Sequence, residues 1–237
     1  MGGEKAMNLN DEITTLLQRE RCGILGFADL RGFPKETRQN FDYGIVIALS
    51  NAKGDMLDNK HGRPQNYFKK YTAMNEQLPK LATLTADFLV SRGYKAFAKI
   101  SSTVVQDEDY RTVLPHKTVA TLAGIGWIGK CALLVTKKVG SALRLIVVLT
   151  NAPLECGKPV IKSECPPDCI ICVGVCPGKA PLGGLWEAGV DRDTFFNANA
   201  CRSAARDRAK STLGIDETVC GLCISNCPFT KWGLGYE

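Results

Sequence analysis

A repeated cysteine pattern constrains this 237-residue chain more than any other feature. Cys-x2-Cys-x3-Cys-Pro occurs at residues 169–177 and again at residues 220–228, and each copy has one more cysteine upstream, Cys165 and Cys201. Eight of the eleven cysteines therefore lie between residues 165 and 227. In a reducing compartment, so many closely spaced thiols indicate metal binding or redox chemistry rather than structural disulfides.

The pattern resembles that of two-cluster bacterial ferredoxins. A 4Fe-4S cubane takes four thiolates, and in such proteins the cysteine before proline serves the other cluster. This implies a crossed assignment of the cysteines to two 4Fe-4S clusters. The first ligand set is Cys165, Cys169, Cys172 and Cys227, and the second is Cys176, Cys201, Cys220 and Cys223.

The spacing departs from the ferredoxin pattern in two places. The first gap holds three residues instead of two, and Cys201 lies 19 positions before Cys220, a gap that a helix over residues 201–214 can fill. Zinc is the alternative, since it also accepts four thiolates. Because zinc sites do not call for the repeated Cys-Pro ending, the pattern favours iron and sulfur. Cys22 and Cys131 stand in strand-like contexts and are expected to be small core residues.

The basic charge is weak evidence for a nucleic-acid partner. Two oxidised clusters with their thiolates would add about −4 to the formal charge. The chain alone carries +6. Arg202, Arg206 and Lys210 follow one another at four-residue intervals along the expected helix. This stripe is either solvated surface or a docking site for an acidic electron donor such as a flavodoxin or ferredoxin.

The sequence predicts a cytoplasmic protein that does not enter a membrane. It has no apolar run of the roughly 18 residues that a membrane span needs. The first residues, MGGEKAMNLNDE, lack the apolar centre of a signal peptide.

Cysteine use divides the chain into a core at residues 1–155 and a cysteine module at residues 156–237. Apolar periodicity in the core predicts helices near residues 9–17, 66–91 and 116–122. Strand-like runs follow at residues 23–29, 43–50, 95–100, 131–136 and 142–150. The expected fold class is therefore α+β, with an α/β core followed by a ferredoxin-like module.

The segment AGIGWIGK, residues 123–130, contains glycines with the bare spacing of a dinucleotide motif. It follows a helix and precedes a strand, which is the reverse of the order in a dinucleotide fold, so that interpretation is rejected. Two hypotheses stay open: backbone lying close to a flat or bulky ligand, or a glycine-rich turn packed by Trp127.

LPHKTVATLAGIGWIGKCALLV, then RLIVVLTNAPLE, then the cysteine module resemble, in that order, the epoxyqueuosine reductase family. These are iron-sulfur enzymes that also bind cobalamin, and they are distant relatives of the reductive dehalogenases. The resemblance implies a nitroreductase-like core that holds cobalamin without a lower ligand from the protein, reduced by electrons from the clusters. The residues implied to bind the cofactor are Gly124, Gly126, Trp127, Gly129, Lys130 and Ser141.

In the family an aspartate proton donor lies about fourteen residues before the first glycine of this loop. Here that offset falls on Tyr110, with Asp109 beside it, and His116 is a candidate proton relay. The chain ends ten residues after its last cysteine, without the C-terminal repeats that help longer members hold tRNA. We therefore expect an unidentified substrate other than tRNA. The alternatives are a non-catalytic electron carrier and an electron donor to another protein's corrinoid.

Overall fold

The computed structural model describes residues 8–20, 22–100, 103 and 105–237. Residues 1–7, on which the expectation about a signal peptide partly rests, lie outside the described residues. The helices are α1 (Leu9–Arg19), α2 (Lys53–Lys60), α3 (Gln65–Ser91), α4 (His116–Leu122), α5 (Ile171–Gly174), α6 (Ala198–Leu213), α7 (Leu222–Asn226) and α8 (Pro228–Leu234). The strands are β1 (Ile24–Asp29), β2 (Tyr43–Ser50), β3 (Ala96–Ala98), β4 (Trp127–Ile128), β5 (Leu134–Val135) and β6 (Leu143–Thr150).

An antiparallel sheet in the order β1-β2-β6-β3 forms the centre of the molecule. Side chains of β2 alternate between its faces, as the two-residue period of a strand requires. Ile45 and Ile47 pack against α1 and α3, whereas Val46 and Ala48 belong to the cluster that includes α4. Helices therefore cover both faces, which explains why β2 and β6 read as nearly continuous apolar runs.

Most sequence-based elements are confirmed, and the mixed helix and sheet architecture is as expected. The helices at residues 66–91 and 116–122 and the strand at 43–50 match α3, α4 and β2 within a residue. The strand expected at residues 131–136 shortens to β5, because a tight turn takes up its beginning. In that turn the Ala132 N–H donates to the Gly129 carbonyl at 2.8 Å, and Ala132 has a φ of 57°.

The cysteine-rich segment packs directly against the core. Phe195 joins the hydrophobic cluster that includes α4 and one face of the sheet, and Trp186 packs against it. A further cluster combines Met56 and Tyr67 with Val219 and Tyr236. The division at residue 155 stays a prediction. Throughout the described part of the chain, no helix combines the length and apolarity needed to cross a membrane.

Helix α8 is held against the turn between β5 and β6 by close backbone contact. Gly140 has a φ of 57°, and a Cβ atom placed on it would lie 2.2 Å from the Thr230 backbone nitrogen. A Cβ atom on Gly233 would likewise lie 2.5 Å from the Lys138 carbonyl oxygen. This contact fixes the position of Cys227, which immediately precedes α8.

We expect Gly140→Ala to destabilise the protein by about 2 kcal/mol or more, because the methyl group must displace α8 and the backbone has positive φ. The measurement is the urea midpoint of unfolding. Gly54→Ala is the matched control, since a Cβ atom at Gly54 in α2 meets nothing within 4 Å. Alanine favours a helix, so the control should be neutral or stabilising. Equal midpoints for the two variants would contradict the close contact.

Candidate cysteine centre and adjoining cavity

A cavity between the β4–β5 hairpin and the cysteine-rich segment is lined largely by cysteines. It contains all four members of the first ligand set, together with Cys131 and Cys223. Cys227, from the second repeat, therefore lies with three cysteines of the first repeat. Cys165 lies close enough to Cys227 to raise the pKa of the Cys227 thiol, which agrees with this placement. The structure thus brings together the grouping that the crossed assignment requires.

Three of the four members of the second ligand set, Cys176, Cys201 and Cys220, lie near one another. The thiol of Cys201 lies near Cys176 and Cys220, and Cys220 in turn lies near Cys176. Cys176 therefore faces residues of the second repeat, although it belongs to the first. The fourth member, Cys223, instead lines the cavity of the first set together with Cys131. Among the described residues, no three cysteine, histidine or acidic side chains converge closely enough to hold a single metal ion.

Burial and mutual proximity make these thiols resist ionisation. Burial, then the neighbouring Cys176 and Cys220, raises the pKa of Cys201 to about 11. Burial also raises the pKa of Cys220 and of Cys227. A bound metal reverses this preference, because its positive charge stabilises the thiolate. A buried set of soft sulfur donors that needs positive charge fits an iron-sulfur cluster.

Two N–H groups donate hydrogen bonds to sulfur atoms of the predicted ligands. The indole Nε1 of Trp127 lies 3.5 Å from the Sγ of Cys165. The backbone N–H of Ala180 donates to the Sγ of Cys176 at 3.4 Å. Each ligand set thus has one N–H group that donates to a ligand sulfur.

Lys130 is buried and supports the loop that carries the first ligand set. Its ammonium group donates to the carbonyls of Pro167 at 2.7 Å and Cys169 at 3.0 Å. The structure therefore places this predicted cofactor-binding side chain among cysteine-loop carbonyls. Gly129 also lies at the cysteine cavity, where a Cβ atom would meet Val135 at 2.7 Å and the Cys165 sulfur at 3.5 Å.

An open cavity of about 440 Å³ lies on the other side of Trp127. It is lined by Ile24, Leu25, Ala123, Gly124, Ile125, Gly126, Trp127, Thr136, Lys137, Lys138, Val160 and Glu164. Trp127 borders this cavity and also donates to Cys165, so its indole stands between the cavity and the first ligand set.

Packing within the protein explains the two glycines at this cavity. A Cβ atom on Gly126 would lie 2.0 Å from the Val135 carbonyl oxygen, and one on Gly124 would lie 2.6 Å from the Lys158 carbonyl oxygen. Their role in binding a cofactor stays a prediction.

Ser141 lies apart from both cavities. Its N–H donates to the Thr230 hydroxyl at 3.1 Å, and its own buried hydroxyl has no partner among the described residues.

The predicted proton donors lie against the cysteine-rich segment and line neither cavity. Tyr110 has a φ of 59°, and the Arg202 guanidinium lies 4.8 Å from its ring centre. Asp109 is exposed, and its carbonyl accepts a hydrogen bond from Arg192 at 2.8 Å. The structure does not bring Tyr110, Asp109 and the open cavity together.

His116, at the start of α4, is held as a neutral imidazole. Its Nδ1 lies 3.4 Å from the Leu145 carbonyl, which makes Nδ1 the protonated nitrogen, and its buried Nε2 has no partner among the described residues. Burial, then the nearby Lys99 ammonium, lowers the pKa of His116 to about 4. A neutral ring can accept a proton at Nε2, so the predicted relay role stays a prediction.

Cys131 and Lys117 were not singled out as site residues by the sequence. Cys131 is buried as expected, but among the predicted ligand thiols rather than in an apolar core. Lys117 donates to the Ala132 carbonyl at 2.7 Å, and burial chiefly lowers its pKa to about 8. The sequence signal that could have identified Cys131 is its position directly after the glycine loop, residues 123–130.

Comparison with known proteins identifies relatives of this chain. No protein-family model matches the chain. The epoxyqueuosine reductase of Lactococcus garvieae is 33% identical over 124 residues, covering 48% of this chain and 31% of the relative. That of Aliivibrio fischeri is 28% identical over 208 residues, covering 78% of this chain and 50% of the relative. The chain thus spans about a third to a half of the length of these curated relatives.

Solved structures share the fold at low sequence identity. An epoxyqueuosine reductase from Streptococcus thermophilus superposes with a TM-score of 0.60 at 19% identity, covering 95% of this chain and 67% of that one. A catabolic reductive dehalogenase gives a TM-score of 0.64 at 18% identity, covering 97% of this chain and 33% of that one. The chain is similar to the epoxyqueuosine reductases. The resemblance that the sequence predicted is confirmed.

The buried His116 predicts a pH dependence of stability. Its pKa is lowered from 6.5 to about 4 by folding, so the unfolded chain takes up the proton first. The contribution of His116 to the free energy of unfolding should therefore be complete above pH 6.5 and be lost as the pH falls toward 4. Between pH 7 and pH 5 the loss from this group is about 2 kcal/mol.

His116→Gln removes this titration, so its urea midpoint should fall less between pH 7 and pH 5 than that of the wild type. The chain has only two histidines, and the exposed His61 provides the control. His61→Gln should keep the wild-type slope. An unchanged slope in the His116 variant would refute the neutral, buried imidazole.

Proposed function

We propose that this chain is an iron-sulfur reductase of the epoxyqueuosine reductase type that holds two 4Fe-4S clusters and a cobalamin. The observation that carries the proposal is the lining of the cysteine cavity. Three cysteines of the first repeat meet Cys227 of the second there, while Cys176 faces Cys201 and Cys220. Two independent zinc knuckles would have kept each repeat to itself.

The same proposal includes a nitroreductase-like core and a ferredoxin-like module. Its support is the packing of α5 against α7, since these two short helices carry Cys172 and Cys223 from the two repeats. In a ferredoxin-like module the two Cys-x2-Cys segments are neighbours in the same way, because each cluster borrows its fourth ligand from the other half.

Residues of the chain would hold and shield the first cluster. Lys130 fixes the carbonyls of its loop, and Trp127 donates to the Cys165 sulfur. The ring of Phe229 packs edge-on against Trp127 with centroids 4.8 Å apart. These side chains would exclude water from one side of the cluster, which lowers the local dielectric and strengthens hydrogen bonds to sulfur.

The open cavity is the proposed cobalamin site. Its volume of about 440 Å³ is smaller than a whole cobalamin, so it would receive one part of the cofactor against an apolar lining that includes Ile24, Leu25 and Ile125. A bound cobalamin would supply the strongly reducing centre of the reaction. Trp127 would separate it from the first cluster by a single indole. Neither histidine is among the described residues that line this cavity, so we expect cobalamin to bind without an imidazole ligand from the protein.

Tyr110 is the proposed proton donor, with His116 as a relay. A phenol has an ordinary pKa near 10 and keeps its proton at neutral pH, whereas a carboxyl group such as Asp109 must be buried to do so. The proposal requires the loop before α4 to reach the open cavity. A solved epoxyqueuosine reductase from Bacillus subtilis, with a TM-score of 0.58, is described with its catalytic loop swung out of the active site.

An acidic electron donor such as a flavodoxin or ferredoxin is the proposed partner, and the exposed Ile170 and Ile171 form an apolar surface beside the first ligand set where it would dock. These residues lie between Cys169 and Cys172 and are 66% and 40% exposed. The same surface favours the alternative of an electron carrier without catalysis. On α6, Arg206 is paired with Asp216, which leaves less free positive charge than the sequence stripe suggested. A substrate other than tRNA and a cytoplasmic location stay predictions.

The cluster proposal predicts about eight iron and eight sulfide per chain after anaerobic reconstitution. Cys227→Ala should abolish the EPR signal of the cluster held by Cys165, Cys169 and Cys172, and Cys176→Ala should abolish the other signal. The two variants control for each other, because each removes the cysteine that precedes a proline. Stoichiometric zinc without sulfide would refute the clusters. Loss of the signal from the same repeat would refute the crossing.

The cobalamin proposal predicts stoichiometric cobalt in reconstituted protein incubated with cobalamin, and a visible spectrum with the lower base displaced. Val160→Trp should weaken binding at least tenfold, because Val160 lines the open cavity and the larger side chain would occupy its volume, while iron content stays the same. Val190→Trp is the matched control, because Val190 is 42% exposed and lines neither cavity. Iron without cobalt binding would favour the electron carrier.

A further inference from the structure

Arg208 lies on the face of α6 that carries a cysteine of the second ligand set. Cys201 precedes it by seven residues, which is about two helical turns, so both side chains project from the same side of the helix. Ala205, between them on this side, is buried. The sequence did not single out Arg208, because the basic stripe of Arg202, Arg206 and Lys210 runs along other faces of the same helix.

The guanidinium group of Arg208 bonds the segment that carries Cys220. Its Nη1 donates to the Cys220 carbonyl at 3.5 Å, and its Nη2 donates to the Asn59 carbonyl at 3.4 Å. Asn59 is fully buried in α2, and its side-chain amide donates to the Ser225 hydroxyl of α7 at 3.3 Å. Arg208 is therefore held in a fixed place, and only a few covalent bonds separate the carbonyl that it contacts from a predicted ligand sulfur.

The charge of Arg208 is not neutralised by a carboxylate within the described part of the chain. None of the ion pairs found there includes this residue, and the two groups that it bonds are neutral carbonyls. Arg206, two residues earlier, is instead paired with the exposed Asp216. Because an arginine side chain is not deprotonated in proteins, Arg208 supplies a permanent positive charge.

The segment around Cys220 is covered by protein, which limits screening of this charge. Tyr67 is 5% exposed, and a Cβ atom on Gly221 would lie 2.6 Å from the Cζ of its ring. Val219, on the other side of Cys220, is 3% exposed. A charge in poorly hydrated surroundings acts more strongly on its neighbours than the same charge in water.

The geometry points to Arg208 as the residue that raises the reduction potential of the second cluster by holding a fixed positive charge beside it. This role rests on the proposed clusters. Reduction adds one electron and makes the ligand set with its cluster more negative by one charge, so a nearby cation stabilises the reduced form more than the oxidised form. The electron comes from the acidic donor already proposed. Arg208 therefore allows a donor of weaker reducing power to reduce this cluster.

The experiment is a potentiometric titration of reconstituted protein with dithionite, followed by EPR, in which the second cluster gives the signal that Cys176→Ala abolishes. Arg208→Gln removes the charge and should shift the midpoint of this signal to a more negative value by about 59 mV, a tenfold change in a one-electron equilibrium. Arg208→Met, a second neutral variant that keeps the apolar stem, should give the same shift. Arg208→Lys retains the charge and should stay near the wild-type midpoint.

Arg206→Gln is the matched control, because it removes an equal charge from the same helix at a side chain already paired with Asp216. It should leave both midpoints unchanged.

Three results would overturn the role. Unchanged midpoints in both neutral variants would show that the charge does not act on the second cluster. An equal shift in Arg208→Lys would assign the effect to the hydrogen bonds of the guanidinium group, and loss of the second signal in all three variants would make Arg208 a structural brace. The wild type separates these results from failure of the clusters themselves: wild-type protein that takes up no iron removes the clusters and this role together.

Discussion

Burial of thiols beside one another is the constraint on which the arrangement of the cysteine-rich segment depends. Burial raises the pKa of Cys201 and of Cys220, and the neighbouring Cys176 adds to the cost of ionising both. In the proposed holoprotein, positive charge bound among the sulfurs would offset this cost, so the stability of this segment and its metal content should be coupled.

The turn from Gly124 to Ala132 is the shared wall of the two cavities. Gly126 is glycine because its backbone touches the Val135 carbonyl, and this contact aligns the short hairpin. The hairpin then presents successive side chains to different surroundings. Trp127 meets the open cavity and Cys165, while Lys130 and Cys131 meet the cysteine loops. One loop thereby positions residues for both proposed cofactors.

The sequence predicted what depends on local spacing and missed what depends on distant packing. The nearly continuous apolar run of β2 and the helical pattern of α4 are local, and both were identified within a residue. The burial of Lys130 could not be inferred, because nothing nearby in sequence indicates that the Cys169 loop lies over it. Cys131 was assigned to a core for the same reason. The offset that selected Tyr110 counts residues along the chain, and it cannot report where that loop lies.

The proposed crossed ligand sets would account for the close anchoring of α8. Cys227 lines the same cavity as Cys165, Cys169 and Cys172, although it lies 50 positions after Pro177. Contact of Gly140 and Gly233 with facing backbone fixes α8, and the edge-on packing of Phe229 on Trp127 joins it to the glycine loop. With Cys227 as its fourth ligand, the proposed first cluster would be completed only after α8 has docked. Assembly of that cluster should therefore follow folding of the core rather than precede it.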